Sequence, residues 1–429
     1  MKIETPQIAW NYDVENTTCI AFHPTLPLLA VGGSDSTGHS VYLRIWNLDI
    51  KTLEEKTGTP ELKKEAVLES IFRIESELQR GHSATVNAVA FSPCGLFLAS
   101  GGDDNRVVLW TEKFKPKEFG SSEMTKAWAD QRELSGHSKE VYDVRWFSDC
   151  KHLVSASLDF RAIVWDIETG SIIQTLDGHT NYVKGCAIDP IGLHVLTQST
   201  DRTIKIFKAV KQRKCQFICK ASVRRMKLGG TGSSQPQGMI ADGNMPEDES
   251  KEEDYFKLFL DENLVETFFR RPDWSPDGSC FLVPAAQYQA KASDPPINCV
   301  LGFTRGNVAA PSFCLPMKSK PAILCRFSPC LFKREPGDQN LFSLPYHLVW
   351  AIGTAEKVLV YSSRSTVPLY VVSNLHYGCL TDLTWYRGHT LAVSAMDGYI
   401  SFGFFSNADV GPELEEESRQ LITQTILSS

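Results

Sequence analysis

Histidine, a hydroxyl and aspartate are the side chains from which a nucleophilic charge relay is built, and this chain supplies them three times at one spacing. Each set starts at a Gly-His pair, with Ser or Thr 18 residues after the His, Asp at 22 and an aromatic at 28. The sets are Gly81-His82/Ser100/Asp104/Trp110, Gly136-His137/Ser155/Asp159/Trp165 and Gly178-His179/Thr197/Asp201/Phe207. A hydrolytic relay needs one exposed nucleophile beside an oxyanion hole. No Gly-x-Ser-x-Gly elbow occurs in the sequence. Three equivalent copies instead predict a repeated structural device. The Asp accepts a hydrogen bond from the His, the ring reaches the hydroxyl, and the hydroxyl reaches the indole N–H, so that every buried polar group has a partner.

The elements that must hold such a device follow from the same stretches. Val86–Phe91 alternates, Ser92-Pro93-Cys94-Gly95 turns the chain, Leu96–Ser100 follows, and Gly101–Asn105 leads into Val107–Trp110. Apolar runs of this length, punctuated by Gly, Pro, Asp and Asn, read as strands joined by hairpins. A repeat of about 40 residues with Gly-His and Trp-Asp signatures predicts four-stranded blades of an all-β, WD40-type β-propeller. Degenerate copies bring the count to seven. Blade one uses Cys19–Pro24, Leu28–Gly32 and Val41–Trp46; blade five uses Trp274–Gly278, Cys280–Val283 and Cys299–Phe303. Blade six uses Ile323–Pro329, Leu348–Ile352 and Val358–Tyr361, and blade seven Leu380–Tyr386, Leu391–Ala395 and Tyr399–Phe405. Blade seven lacks an outer strand, and Lys2–Ala9 is expected to supply it and close the ring.

This organisation assigns residues 1–407 to one propeller and 408–429 to a short polar, acidic tail. Asp49–Gln79 reads as a Lys/Glu-rich connection whose apolar end, Ala66–Ile74, forms the outer strand of blade one. Thr111–Leu134 reads as a polar insertion in blade two. Residues 229–254, with Gly229–Ser234 followed by the acidic cluster Glu247–Asp254, read as a disordered loop between blades four and five.

Composition narrows the function classes. A net charge of −7 argues against wholesale nucleic-acid binding and for no direct sequence-specific contact with DNA. The 12 cysteines fall mostly in strands and lack zinc spacing. No metal, cofactor or catalytic site is expected, and no run approaches a membrane span. Candidate binding residues lie elsewhere. Lys205 to Lys227 holds nine Lys/Arg and no acid; its end, Arg224, Arg225 and Lys227, could dock phosphate or an acidic segment, the bland alternative being a solvated outer strand. The acidic cluster Glu247–Asp254 could neutralise that stretch or meet a basic partner such as a histone. Phe268-Phe269-Arg270-Arg271 aligns with the start of blade five's inner strand. That register puts two arginines beside aromatics at the channel mouth, as a carboxylate-binding pair.

The segments outside the repeat carry a resemblance. Met1-Lys2-Ile3 with Ile8-Ala9-Trp10, Phe268–Arg271 with Trp274-Ser275-Pro276-Asp277-Gly278, Ser343-Leu344-Pro345-Tyr346 and Val372–Tyr377 resemble the middle subunit of chromatin assembly factor 1. Part of the pattern is similar to the Hir-type histone chaperones. The resemblance implies a nuclear, non-enzymatic scaffold that joins a large and a small subunit of the factor. It implies deposition of newly made histones three and four during replication, with the sliding clamp engaged indirectly through the large subunit. Family members commonly carry a C-terminal extension that binds the anti-silencing-factor chaperone, and the sequence to Ser429 holds no such motif. Two alternatives stand beside this reading. One is a Hir-type, replication-independent chaperone. The other is a ubiquitin-ligase substrate receptor, whose blades favour Trp-Asp-x-Arg where this chain has Trp165-Asp166-Ile167-Glu168.

Overall fold

The short apolar runs pair as antiparallel hairpins, each laid beside the next in chain order, and seven such sheets form a ring. The computed structural model describes residues 1–6, 16–35, 41–78, 81–116, 124–210, 216–227, 255–257, 269–289, 295–318, 320–335, 337–338, 340–342 and 344–415. The first strands of successive blades are Asn16–Phe22, Val86–Phe91, Val141–Trp146, Val183–Ile188, Asp273–Trp274, Ala322–Phe327 and Leu380–Tyr386. Each contacts the next, and the seventh returns to the first, so they line the axis. Between blades lie apolar layers; one joins Val31 and Trp46 of blade one to Ala392 and Phe402 of blade seven. The expected closure is present. Lys2–Glu4 pairs with Ile400–Phe404, Lys2 opposite Phe404 and Glu4 opposite Phe402, so blade seven is built from both ends of the propeller.

Four expectations need correcting. The outer strand of blade one is Phe72–Glu77, and the stretch before it, Glu65–Ile71, is a helix. Leu68 and Ile71, three apart, bury one helical face with Leu53 and Leu62 against blade one. Thr111–Leu134 is not an insertion but most of a long hairpin, Arg106–Pro116 paired with Met124–Ser135. Its register puts Trp128 into the core, with its backbone N–H donating to Ser76 Oγ at 3.1 Å. Blade five begins with only two paired residues, Asp273–Trp274. Ahead of them Arg271 leaves its own sheet and bridges Leu324 of blade six in parallel, its N–H donating to the Ile323 carbonyl. Finally, the segment after residue 407 is not simply a polar tail. Asn407–Val410 is a helical turn, and beyond it Leu414 N–H donates to the Leu331 carbonyl, docking the chain on blade six. The expected loop 229–254 and the tail beyond residue 415 lie outside the described residues.

Candidate functional site

The three Gly-His pairs sit just before the inner strands of blades two, three and four, and the hydroxyl, carboxylate and aromatic come from the hairpins that follow. In blade two, His82 Nδ1 is 3.0 Å from Asp104 Oδ1 and Nε2 is 2.7 Å from Ser100 Oγ. The Trp110 indole N–H donates to the same oxygen at 2.8 Å. Blade three repeats this with His137 to Asp159 at 2.8 Å, His137 to Ser155 at 2.7 Å and Trp165 to Ser155 at 2.8 Å. In blade four His179 reaches Asp201 at 2.8 Å and Thr197 at 2.7 Å. The chain stops there, because Phe207 has no N–H to give. One order of protons satisfies every group in blades two and three: indole N–H to hydroxyl, hydroxyl to Nε2, and Nδ1–H to carboxylate.

Each carboxylate also accepts the backbone N–H after the histidine: Ser83, Ser138 and Thr180 donate at 2.9, 3.1 and 3.1 Å. Burial pushes Asp159 upward, but the hydrogen bonds from His137, Ser138 and Arg161 outweigh it and hold its carboxyl below the usual range. Gly81 is required by the same packing: a Cβ there would run into the Trp110 ring. Ser100, Ser155 and Thr197 are fully buried, and the two serines are engaged on both sides. A buried hydroxyl with both roles taken cannot attack a substrate. The arrangement pins turn to strand.

A fourth device escaped the spacing. His376 Nδ1 is 3.2 Å from Asp397 Oδ1, and its Nε2 is 2.9 Å from Ser401 Oγ. Asp397 again accepts the N–H after the histidine, that of Tyr377, at 2.9 Å. Its offsets differ by one for the Asp and by seven for the hydroxyl, because the hydroxyl comes from the third strand of blade seven rather than the second. A Gly-His search cannot find it; a His-Tyr ahead of an Asp-Gly turn could.

The arginine pair is split by the structure. Arg271 is only 1% exposed and does not face a partner. Its Nη1 donates to Asp382 Oδ2 of blade seven at 2.7 Å, and Nη2 donates across the axis to the Asn87 carbonyl of blade two, also at 2.7 Å. Its guanidinium lies 4.6 Å from the centre of the Phe269 ring. Asp382 also accepts from Arg326 of blade six at 3.2 Å and from the backbone of Ile20 of blade one at 3.4 Å. Burial and the neighbouring guanidinium of Arg145 push Arg326 below its ordinary pKa. The same use of an inner-strand carboxylate recurs around the ring: Asp143 accepts from Cys186 N–H at 3.1 Å and Asp273 from Phe327 N–H at 2.8 Å. Arg270 is buried as well, its Nη1 donating to the Phe269 carbonyl. Phe268 lies outside the described residues. Of the basic stretch, Arg224 is exposed and Arg225 and Lys227 lie on the strand Arg225–Lys227 that follows it.

The site is thus an internal frame of polar links, and comparison with known proteins decides the kind of frame. The CAF1B/HIR1 beta-propeller domain matches residues 1–410. The chain belongs to the CAF1B/HIR1 propeller family. A chromatin assembly factor 1 subunit FAS2 homolog from Oryza sativa subsp. japonica is 33% identical over 96% of this chain and 74% of its own length. The corresponding chromatin assembly factor 1 subunit of Mus musculus is 31% identical over 97% of this chain and 69% of its own. Protein hir1 from Emericella nidulans is 30% identical over 89% of this chain but 34% of its own length. The rice and mouse relatives are chromatin assembly factor 1 subunits. Segments that carry the resemblance in the sequence have structural work here. Tyr346, from Ser343–Tyr346, donates its hydroxyl to Asp277 of Trp274–Gly278 at 2.7 Å, and His376 and Tyr377 build the fourth device.

Proposed function

We propose that this chain is the propeller scaffold of a nuclear histone-chaperone complex that deposits newly made histones three and four during replication-coupled nucleosome assembly. It has no catalytic role in this reading. It joins a large subunit to a small, histone-binding subunit, and the sliding clamp is reached through the large subunit. The observation that carries the proposal is likeness to chromatin assembly factor subunits along nearly the whole chain, 96% of it for the rice relative. The exposed Arg224, with Arg225 and Lys227 beside it, is the surface proposed for an acidic partner segment. The buried Arg271 and Arg270 serve the ring itself.

One further reading is favoured by an observation, the similarity to hir1 over 89% of this chain; it makes the protein part of a replication-independent chaperone. Affinity purification from dividing cells at moderate salt, followed by mass spectrometry, tests both. Recovery of the large and small assembly-factor subunits with histones three and four is the expected result. Recovery of Hir-type partners instead, without those subunits, moves the chain to the second reading. Cullin components alone would overturn both.

A further inference from the structure

Three of the turns between first and second strands share a Ser/Asp-Pro-x-Gly pattern, and the turn of blade three has a cysteine at the glycine position. Blade two has Ser92-Pro93-Cys94-Gly95, blade four Asp189-Pro190-Ile191-Gly192 and blade five Ser275-Pro276-Asp277-Gly278. The glycines take φ of 75°, 73° and 70°. Blade three has Ser148-Asp149-Cys150, and Cys150 occupies the glycine position with φ of 56°. A side chain in this left-handed region is strained, and glycine would avoid the cost. The strained cysteine points at a second one. The Cys94 backbone N–H donates to Cys150 Sγ at 3.1 Å, which sets the blade-three sulfur against the blade-two turn.

The pair is asymmetric. Burial raises the Cys94 thiol, but the Ser92 hydroxyl at 3.3 Å, the Cys150 thiol and the N–H groups of Leu96 and Cys94 outweigh it and lower its pKa. Burial and the neighbouring Cys94 push Cys150 up to about 11. Cys94 is exposed and Cys150 half-buried. An accessible thiol favoured as thiolate, with a second cysteine sulfur held against its backbone, is the arrangement of peroxide-sensing cysteines. The other adjacent pair, Cys299 and Cys314, differs: it lies within one blade, and Cys299 is fully buried.

We propose that Cys94 and Cys150 are a peroxide-oxidisable dithiol whose disulfide staples blade two to blade three. The Cys94 thiolate attacks a peroxide oxygen, the O–O bond breaks, and hydroxide leaves to be protonated to water, so Cys94 becomes a sulfenic acid. The Cys150 sulfur then attacks the Cys94 sulfur; the S–O bond breaks and the departing hydroxide takes the Cys150 proton. Two thiols and one hydrogen peroxide give one disulfide and two waters. The cross-link closes a long loop across two blades and therefore restricts the unfolded chain.

The test treats the reduced full chain with hydrogen peroxide near neutral pH, blocks free thiols, and reads intact mass and cross-linked peptides. The expected result is loss of two hydrogens, a Cys94–Cys150 cross-linked peptide, and a thermal midpoint raised by several degrees and restored by a thiol reductant. Cys94 should also alkylate roughly ten-fold faster than the exposed Cys219. Cys150→Gly, which restores the residue of the neighbouring turns and is expected to fold, should lose the cross-link and leave a Cys94 sulfenic acid that a cyclic diketone traps. Recovery of Cys94 and Cys150 as free thiols after Cys219 has been oxidised would overturn the proposal. So would a Cys94→Ser variant that forms a first disulfide as fast as the parent.

Discussion

Asp159 gathers three donors: the His137 ring, the N–H of Ser138 and the N–H of Arg161. Removing its carboxylate leaves these groups without an acceptor in a site whose side chain is 5% exposed. Asp159→Ala is therefore expected to cost about 1–3 kcal/mol, read as a lowered denaturant midpoint with an unchanged slope. An unaltered midpoint would refute the role assigned to the tetrad. These residues were legible because hairpin geometry fixes integer spacings: a histidine before the first strand meets the second strand 18 residues on and the next turn 22 residues on. His376 was not legible. Its hydroxyl, Ser401, is on the third strand, where a residue of the same chemistry serves at a different offset. The role of Arg271 was equally hidden, because its partners Asp382 and Asn87 lie 111 and 184 residues away. Nothing in local pattern announces a contact across the axis.

Strands and helices show the same division between local and distant causes. The first three strands of blades two to four could be drawn from alternation alone, whereas blade five's inner edge could not, since the chain around Arg271 takes its hydrogen bonds from blade six. Blade four makes room for that path at Gly185. A Cβ on Gly185 would strike the Arg270 carbonyl, a backbone atom that cannot swing aside. Gly185→Ala is expected to destabilise by about 1–3 kcal/mol and to speed hydrogen exchange at the Arg271 and Cys325 amides; unchanged exchange there would show the junction to be loose. The C-terminal docking segment carries a pH signature. The hydrogen bond to Glu413 raises His389 above its ordinary pKa, and the hydrogen bond from His389, against burial, brings Glu413 down to about 2. The raised histidine contributes fully below its unfolded value of 6.5 and loses its contribution as pH rises through its folded pKa. The lowered glutamate contributes above its unfolded value of 4.5 and loses it as pH falls toward 2. Protease resistance of the 411–415 segment should peak between pH 4.5 and 6.5. Glu413→Gln should flatten that peak, and a parent without one would argue against the pairing.

A ring of blades has no single core, so something must make seven sheets behave as one molecule. Apolar layers between neighbours do this pairwise, and the strand Lys2–Glu4 ties the first segment of the chain to the last blade. The carboxylate of Asp382 acts over a longer range. It joins the backbone of blade one to arginines from blades five and six, and Arg271 carries the link across the axis to blade two. Its side chain is 2% exposed, so the charges it meets are removed from water with it. Deleting one member of a buried ionic cluster is far costlier than never having built it, because the remaining charges stay buried without compensation. Asp382→Asn keeps the volume and some hydrogen bonds but leaves Arg271 and Arg326 without their shared counter-charge, and is expected to cost about 3–5 kcal/mol. Because the links run between blades rather than within one, the loss should appear as a lower midpoint of a single unfolding transition. It should also speed amide exchange at Ile20 of blade one and in the Val86–Phe91 strand of blade two together, although they belong to different blades. Exchange that changed only within blade seven would reduce Asp382 to a local contact. Joint release of blades one and two would identify it as the link that makes the seven blades one rigid body.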